Sequence, residues 1–115
     1  MTKYFRSQIV LVNLGSVPNQ VVGHKQANMR PCLIVQTLDF VQLAVVIPFT
    51  SKTPPSNIYS IVAFQKGKGG LLSDSFALCH QIRTISYERI TKSYGVLTER
   101  DFNKVLTVLS DFLEL

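Results

Sequence analysis

The chain has 115 residues, of which 46% are hydrophobic and 17% charged, a composition that predicts one globular domain over residues 1–115. These figures exclude an intrinsically disordered chain. The N-terminus lacks the apolar segment of a secretory signal, and no apolar run is long enough to span a bilayer, so we expect a cytoplasmic protein.

The net charge of +5 is unevenly distributed. Residues 1–31 carry +4, residues 32–73 carry +2, and residues 74–115 carry −1. An anionic partner is therefore expected to bind the first two thirds of the chain. Cys32 and Cys79 lie far apart without C-x-x-C spacing, so we predict two buried thiols, with no disulfide and no metal site.

Short apolar runs bounded by turn-forming residues predict a mainly β fold. The expected strands cover residues 8–14, 31–37, 42–49, 58–64 and 76–85, with a small last strand at 94–97. The glycine-rich segment 66–70 is expected to be a loop, and Ser86 is expected to cap a short helical turn over 87–90.

A C-terminal helix is the clearest predicted element. Thr98-Glu99-Arg100-Asp101 has the form of a capping box at a helix N-terminus. Apolar residues then recur at spacings of three and four, which predicts one stripe that covers the sheet: Phe102, Val105, Leu106, Leu109, Phe112 and Leu113. Short antiparallel strands followed by one amphipathic helix indicate a curled or barrel-like sheet with a helical cap.

Two common chemistries find little support in the sequence. No serine lies in a nucleophile elbow, and Cys79 and His80 are neighbours in a predicted strand, so their side chains should point to opposite faces. The segment Lys66-Gly67-Lys68-Gly69-Gly70 lacks the spacing of a phosphate-binding P-loop, and no helix follows it.

The polar, basic segment Gly23-His24-Lys25-Gln26-Ala27-Asn28-Met29-Arg30-Pro31 enters directly into an apolar strand. It resembles the G-x-E-Q-x-x-x-R-P segment of the MazF/PemK toxins. The resemblance continues through Ile47-Pro48-Phe49-Thr50-Ser51 and through the segment from Asp74 to Thr84, in the same order and spacing. It extends from about Gln8 to the C-terminal helix.

This resemblance implies a compact SH3-like β-barrel with an appended C-terminal helix. It further implies a homodimeric toxin of a type II toxin-antitoxin system, restrained by a cognate antitoxin protein. The implied activity is that of an endoribonuclease, which cleaves single-stranded RNA at specific sequences without a metal ion or other cofactor.

The family's reactive arginine and threonine map onto Arg30 and Thr50. In the implied reaction the 2′-hydroxyl of the RNA attacks the adjacent phosphorus and leaves a cyclic phosphate. A guanidinium matches phosphate geometry, and the hydroxyl can add a hydrogen bond to the transition state. The residues expected to contact RNA are Lys25, Gln26, Ser51, Lys52, Gln81 and Arg83.

The chain departs from the family pattern at two places. Lys25 replaces the usual glutamate, and Ser7-Gln8 replaces the common Gly-Asp before the first strand. A solvated lysine is protonated at neutral pH and cannot replace a carboxylate base. His24 and His80 titrate in the range needed for proton transfer and are the candidates for that role.

Two other functions stay open at the level of sequence. The Lys25 substitution allows a barrel that binds RNA or a protein but has lost cleavage. A CcdB-like gyrase poison would share the architecture, although the intact Arg30 and Thr50 segments argue against it.

Overall fold

The computed structural model describes residues 3–15 and 28–115. Within these ranges none of the helices is long and apolar enough to cross a membrane. The chain forms β1 (Gln8–Asn13), β2 (Met29–Leu38), β3 (Leu43–Thr50), β4 (Ile61–Phe64), β5 (Ser75–Leu78), β6 (Arg83–Ser86), β7 (Ile90–Val96) and α1 (Glu99–Leu113).

The strands form one antiparallel sheet in the order β4-β5-β3-β2-β1-β7, and β6 also pairs with β3. The 3-10 turn Lys68–Gly70 follows β4 along the chain and packs against β7, the strand at the other end of the sheet. Gly70 has a φ of +83°, and a Cβ there would lie 2.2 Å from the carbonyl oxygen of Tyr94. Glycine therefore permits this close contact. Among the described residues the end strands β4 and β7 are not paired, so the sheet is open rather than the closed barrel that was expected, while the compact, SH3-like arrangement with a C-terminal helix is as expected.

The prediction of one strand over residues 76–85 is wrong in its middle. Phe49 pairs with Ala77 of β5, and Val46 pairs with Arg83 of β6. The two residues 47–48 of β3 therefore lie opposite five residues, 78–82, of the same chain. The extra residues form the 3-10 turn Cys79–Gln81. Cys79 in the turn and Ile82 just after it still pack in the core, which is why hydrophobicity alone did not reveal the break.

The central strands carry buried side chains on both faces, since successive side chains of a strand point to opposite faces and each face is covered by a core cluster. On one face Ile9, Leu33 and Ile47 pack beneath α1 in a first core cluster. On the other face Val10, Cys32 and Val46 belong to a second core cluster, which also contains Val12, Ile34, Ala44 and Ile85. Both cysteines are free and buried, as predicted.

The terminal helix begins as predicted. The Thr98 hydroxyl accepts a hydrogen bond from the backbone N–H of Asp101 at 3.2 Å, which confirms the cap. Phe102, Val105 and Leu109 are buried and Leu106 is partly buried. Phe112 and Leu113 are 44% and 45% exposed, so the predicted stripe is wrong at its C-terminal end, because the last turn of α1 no longer covers the core.

The shorter predicted elements are also present with adjusted bounds. The Ser86 hydroxyl accepts from the backbone N–H of Glu88 and caps the 3-10 turn Tyr87–Arg89. The small strand expected at 94–97 is the end of the longer β7. The strand expected at 58–64 begins only at Ile61.

Candidate active site

The pairing of β2 with β3 places Arg30 and Thr50 beside each other. The two strands are antiparallel, and Cys32 pairs with Pro48. Arg30 and Thr50 lie two residues further along their strands, so alternation puts both side chains on the face that carries the second core cluster. They line one open cavity of about 320 Å³, so the structure brings the two predicted residues together.

This cavity, called here the Arg30–Thr50 cavity, is polar and basic. Two of the predicted RNA contacts, Ser51 and Lys52, lie in its wall. None of the described residues that line it is acidic; they are Asn28, Met29, Arg30, Pro31, Phe49, Thr50, Ser51 and Lys52. Its chemistry therefore suits an anionic ligand such as a phosphodiester.

The guanidinium of Arg30 is half-buried and anchored at one nitrogen. Its Nε donates a hydrogen bond to Oδ1 of Asn28 at 3.2 Å. The two ion pairs found in the described residues both use Asp101, with Lys68 and Lys104, and neither involves Arg30. Among the described residues neither Nη group has a hydrogen-bond partner, so both can make a bidentate contact with phosphate.

The Thr50 hydroxyl is held by its own backbone neighbourhood. Its Oγ1 accepts a hydrogen bond from the backbone N–H of Lys52 at 3.2 Å. A hydroxyl that accepts one hydrogen bond can still donate its proton, and the accepted bond polarises the O–H group. Thr50 can therefore act as a donor to a phosphoryl oxygen.

Arg83 extends the basic character beyond the Arg30–Thr50 cavity. Burial raises the pKa of the Cys32 thiol to about 12, and the nearby charges of Arg83 and Arg30 act in the opposite direction. Arg83 pairs with Val46 of the second core cluster, so its side chain lies on the same face of the sheet as Arg30. Gln81 is exposed at the end of its 3-10 turn and is not part of the wall of the cavity.

His80 lies in a different environment. One ring nitrogen, Nδ1, is hydrogen-bonded with the Ser60 hydroxyl at 2.8 Å, and the ring contacts Phe112 edge-to-face with centroids 6.5 Å apart. Ser60 and Phe112 line a separate cavity of about 390 Å³ beside α1. His80 is thus placed against the end of the helix, and its role in proton transfer stays a prediction.

Cys79 offers no nucleophile for a Cys-His pair. Cys79 and His80 lie in a 3-10 turn and not in a strand. The prediction that their side chains point to opposite faces of a strand is therefore wrong. Burial raises the pKa of the Cys79 thiol to about 11, and the thiol stays protonated at neutral pH. The partner of His80 is Ser60, which the sequence analysis did not single out.

Three predicted residues, His24, Lys25 and Gln26, lie outside the described residues, so their roles stay predictions. In contrast, Asn28 was not singled out from the sequence although it contacts Arg30 directly. The strand predicted from the sequence begins only at residue 31, so no strand pattern marked Asn28, and the observed β2 begins one residue after it.

Comparison with known proteins agrees with this fold and site. Residues 5–113 match the family of PemK-like, MazF-like toxins of type II toxin-antitoxin systems. Endoribonuclease EndoA of Bacillus subtilis (strain 168) is 31% identical over 98 residues, which cover 83% of this chain and 84% of that protein. The fold and the sequence match thus define a toxin of the type II toxin-antitoxin class.

Solved structures show the same fold at lower identity. A mycobacterial endoribonuclease solved in complex with its cognate antitoxin has a TM-score of 0.73 and 20% identity, covering 97% of this chain and 96% of its own. MazF from Deinococcus radiodurans has a TM-score of 0.72 and 18% identity, covering 97% of each chain. The chain belongs to the PemK-like, MazF-like toxin family.

Proposed function

We propose that this toxin is a metal-independent endoribonuclease that cleaves single-stranded RNA in the Arg30–Thr50 cavity. The observation that carries the proposal is the arrangement of donors. Among the described residues, the guanidinium of Arg30 is hydrogen-bonded through Nε alone and the cavity has no acidic lining, and the Thr50 hydroxyl can still donate. This arrangement suits stabilisation of negative charge that develops on a phosphoryl group.

The reaction needs no nucleophile from the protein. The ribose 2′-oxygen attacks the adjacent phosphorus, the bond from phosphorus to the 5′-oxygen breaks, and a 2′,3′-cyclic phosphate remains. The leaving 5′-oxygen takes up a proton, while the 2′-hydroxyl loses one. Arg30 stabilises the charge on the non-bridging oxygens, and Thr50 donates a hydrogen bond to one of them.

The proposed RNA-binding surface continues from the cavity towards Arg83. Lys52 lies in the wall of the cavity, and Arg83 lies on the same side of the sheet as Arg30. Their charges would position the phosphates on either side of the scissile bond. Gln81, Lys25 and Gln26 are kept as predicted contacts, and His24 and His80 as candidates for proton transfer.

The biological setting follows from the family. We propose that the toxin acts as a homodimer on cytoplasmic messenger RNA and that a cognate antitoxin protein inhibits it. The mycobacterial endoribonuclease solved in complex with its cognate antitoxin supports the part of this proposal that concerns the antitoxin.

The decisive experiment incubates the purified protein with a long unstructured RNA in excess EDTA. Fragments that end in 2′,3′-cyclic phosphate, at a reproducible sequence, are the expected result. RNA binding without fragments would overturn cleavage and leave a binding barrel. Gyrase-dependent DNA breaks without RNA fragments would instead identify a CcdB-like poison.

A further inference from the structure

Asn28 directly precedes β2, and its backbone is hydrogen-bonded to the segment that follows β1. Its backbone N–H donates to the carbonyl oxygen of Gly15 at 3.2 Å, and its own carbonyl accepts from the backbone N–H of Leu14 at 2.9 Å. These bonds continue the ladder beyond the Asn13↔Met29 pair of β1 and β2. The backbone of Asn28 is therefore fixed relative to Arg30.

The side chain of Asn28 uses this fixed position to hold the guanidinium. Its Oδ1 accepts from Nε of Arg30 at 3.2 Å, and Asn28 itself lines the Arg30–Thr50 cavity. A hydrogen bond at Nε restrains rotation of the guanidinium plane but uses only one of its five N–H groups. Within residues 3–15 and 28–115 neither Nη group has a partner, so both can contact phosphate.

The chemistry of the acceptor matters as much as its position. A carboxylate at this place would form an ion pair and neutralise the charge that a phosphodiester requires. The neutral amide oxygen orients the guanidinium and leaves its charge intact. A flexible arginine would otherwise lose rotamer freedom when it orders on the substrate.

We propose that Asn28 is a positioning residue that preorganises Arg30 for the scissile phosphate. The inference rests on the proposed function for its kinetic consequence, but the Asn28–Arg30 bond can be tested without any cleavage. Asn28 acts through Arg30 and does not itself stabilise the reacting phosphoryl group.

The first test is spectroscopic. In the wild type, the Nε–H signal of Arg30 in a ¹H–¹⁵N NMR spectrum should exchange slowly with water, because it is hydrogen-bonded. Asn28→Ala should shift this signal and accelerate its exchange, while the backbone spectrum elsewhere stays that of the folded protein. An unchanged Nε–H signal in Asn28→Ala would overturn the inference, whether or not the protein cleaves RNA.

The second test is a double-mutant cycle on single-turnover cleavage. Asn28→Ala should lower the rate at saturating RNA by roughly tenfold to a hundredfold, with a smaller change in KM, because a misplaced catalytic group loses that much. In an Arg30→Lys background, which lacks the Nε–H group that Asn28 binds, Asn28→Ala should have almost no further effect. Equal losses in both backgrounds would show that Asn28 acts independently of Arg30 and would overturn the inference.

A third variant, Asn28→Asp, tests whether the acceptor must be neutral, because it keeps the acceptor oxygen and adds a negative charge. It should preserve the slow exchange of the Nε–H but weaken binding of a non-cleavable 2′-deoxy oligonucleotide, because the ion pair competes with phosphate. Tighter oligonucleotide binding in Asn28→Asp would contradict the argument that a neutral acceptor is required. Failure of the wild type to cleave RNA would count against the proposed function alone.

Discussion

Arg30 and Thr50 lie across from each other on adjacent antiparallel strands, two residues beyond the Cys32↔Pro48 pair, and line the same cavity. The strand ladder that buries Cys32 and Ile34 in the core therefore also fixes the relative position of a guanidinium and a hydroxyl. Placing the two groups on rigid strands allows the site to be preorganised before RNA binds.

Arg30→Ala should lower the rate of RNA cleavage by roughly a hundredfold or more, as expected for loss of one preorganised donor to a developing oxyanion. Arg30→Lys should recover only part of the activity, because an ammonium lacks the planar fork. The measurement is single-turnover cleavage in EDTA. Arg100→Ala, an exposed position on α1, is the charge-matched control, and an unchanged rate in Arg30→Ala would remove Arg30 from the mechanism.

Thr50 is tested by separating its hydroxyl from its shape. Thr50→Val keeps the branched side chain but removes the donor, and we expect a loss of about tenfold to a hundredfold in the cleavage rate. Thr50→Ser keeps the hydroxyl that accepts from the backbone N–H of Lys52 and should retain most of the activity. If both variants were equally impaired, packing by the methyl group would be the better explanation.

The basic residues around the cavity are tested by salt dependence. Lys52→Ala or Arg83→Ala should weaken binding of a non-cleavable 2′-deoxy oligonucleotide. Each should flatten the slope of log K against log salt by about 0.7, the value for one phosphate contact on a single strand. Arg100→Ala should leave the slope at the wild-type value. A slope equal to that of the wild type in Arg83→Ala would exclude a phosphate contact there.

The sequence predicted the strands and the helix well where local chemistry decides the outcome. The Thr98 cap and the buried Val105 and Leu109 follow from capping and from helical periodicity. The 3-10 turn at Cys79–Gln81 could not be predicted this way, because the mismatch with residues 47–48 of β3 depends on pairing across the sheet.

In the site, too, some features could be predicted from the sequence and others depend on tertiary contacts. The resemblance to MazF/PemK toxins named Arg30 and Thr50, and the register of β2 and β3 explains why they share a cavity. The hydrogen bond between Ser60 and His80 joins residues far apart in the chain, so no local sequence pattern predicts it. Tertiary contacts of this kind decide whether a histidine faces a substrate or a neighbouring helix.

The Asp101 carboxylate should stabilise the fold at neutral pH and lose this contribution in acid. Burial would raise the pKa of this carboxyl, but the charges of Lys68 and Lys104 and a hydrogen bond with Thr98 outweigh burial, so the pKa lies below its ordinary value of 3.8. A carboxyl with a lowered pKa contributes its full stabilisation above the unfolded-state pKa and loses it as the pH falls through the folded-state pKa.

The expected outcome is a difference in Tm between wild type and Asp101→Asn that is largest near neutral pH and shrinks below about pH 4. Asp111→Asn, on the same helix but exposed, is the control and should show no comparable trend. A constant difference in Tm across this pH range would mean that the ion pairs with Lys68 and Lys104 do not stabilise the fold.

The packing of α1 on the sheet can be tested with two leucines that belong to the same predicted stripe. Leu109 is 7% exposed and packs in the first core cluster, whereas Leu113 is 45% exposed. Leu109→Asp removes buried apolar surface worth roughly 2 to 5 kcal/mol and places a charge in the core. Because a domain of this size has only about 5 to 15 kcal/mol of stability, we expect soluble expression to be lost. Leu113→Asp should give a soluble protein with a nearly normal melting curve, and equal behaviour of the two variants would contradict the packing described for α1.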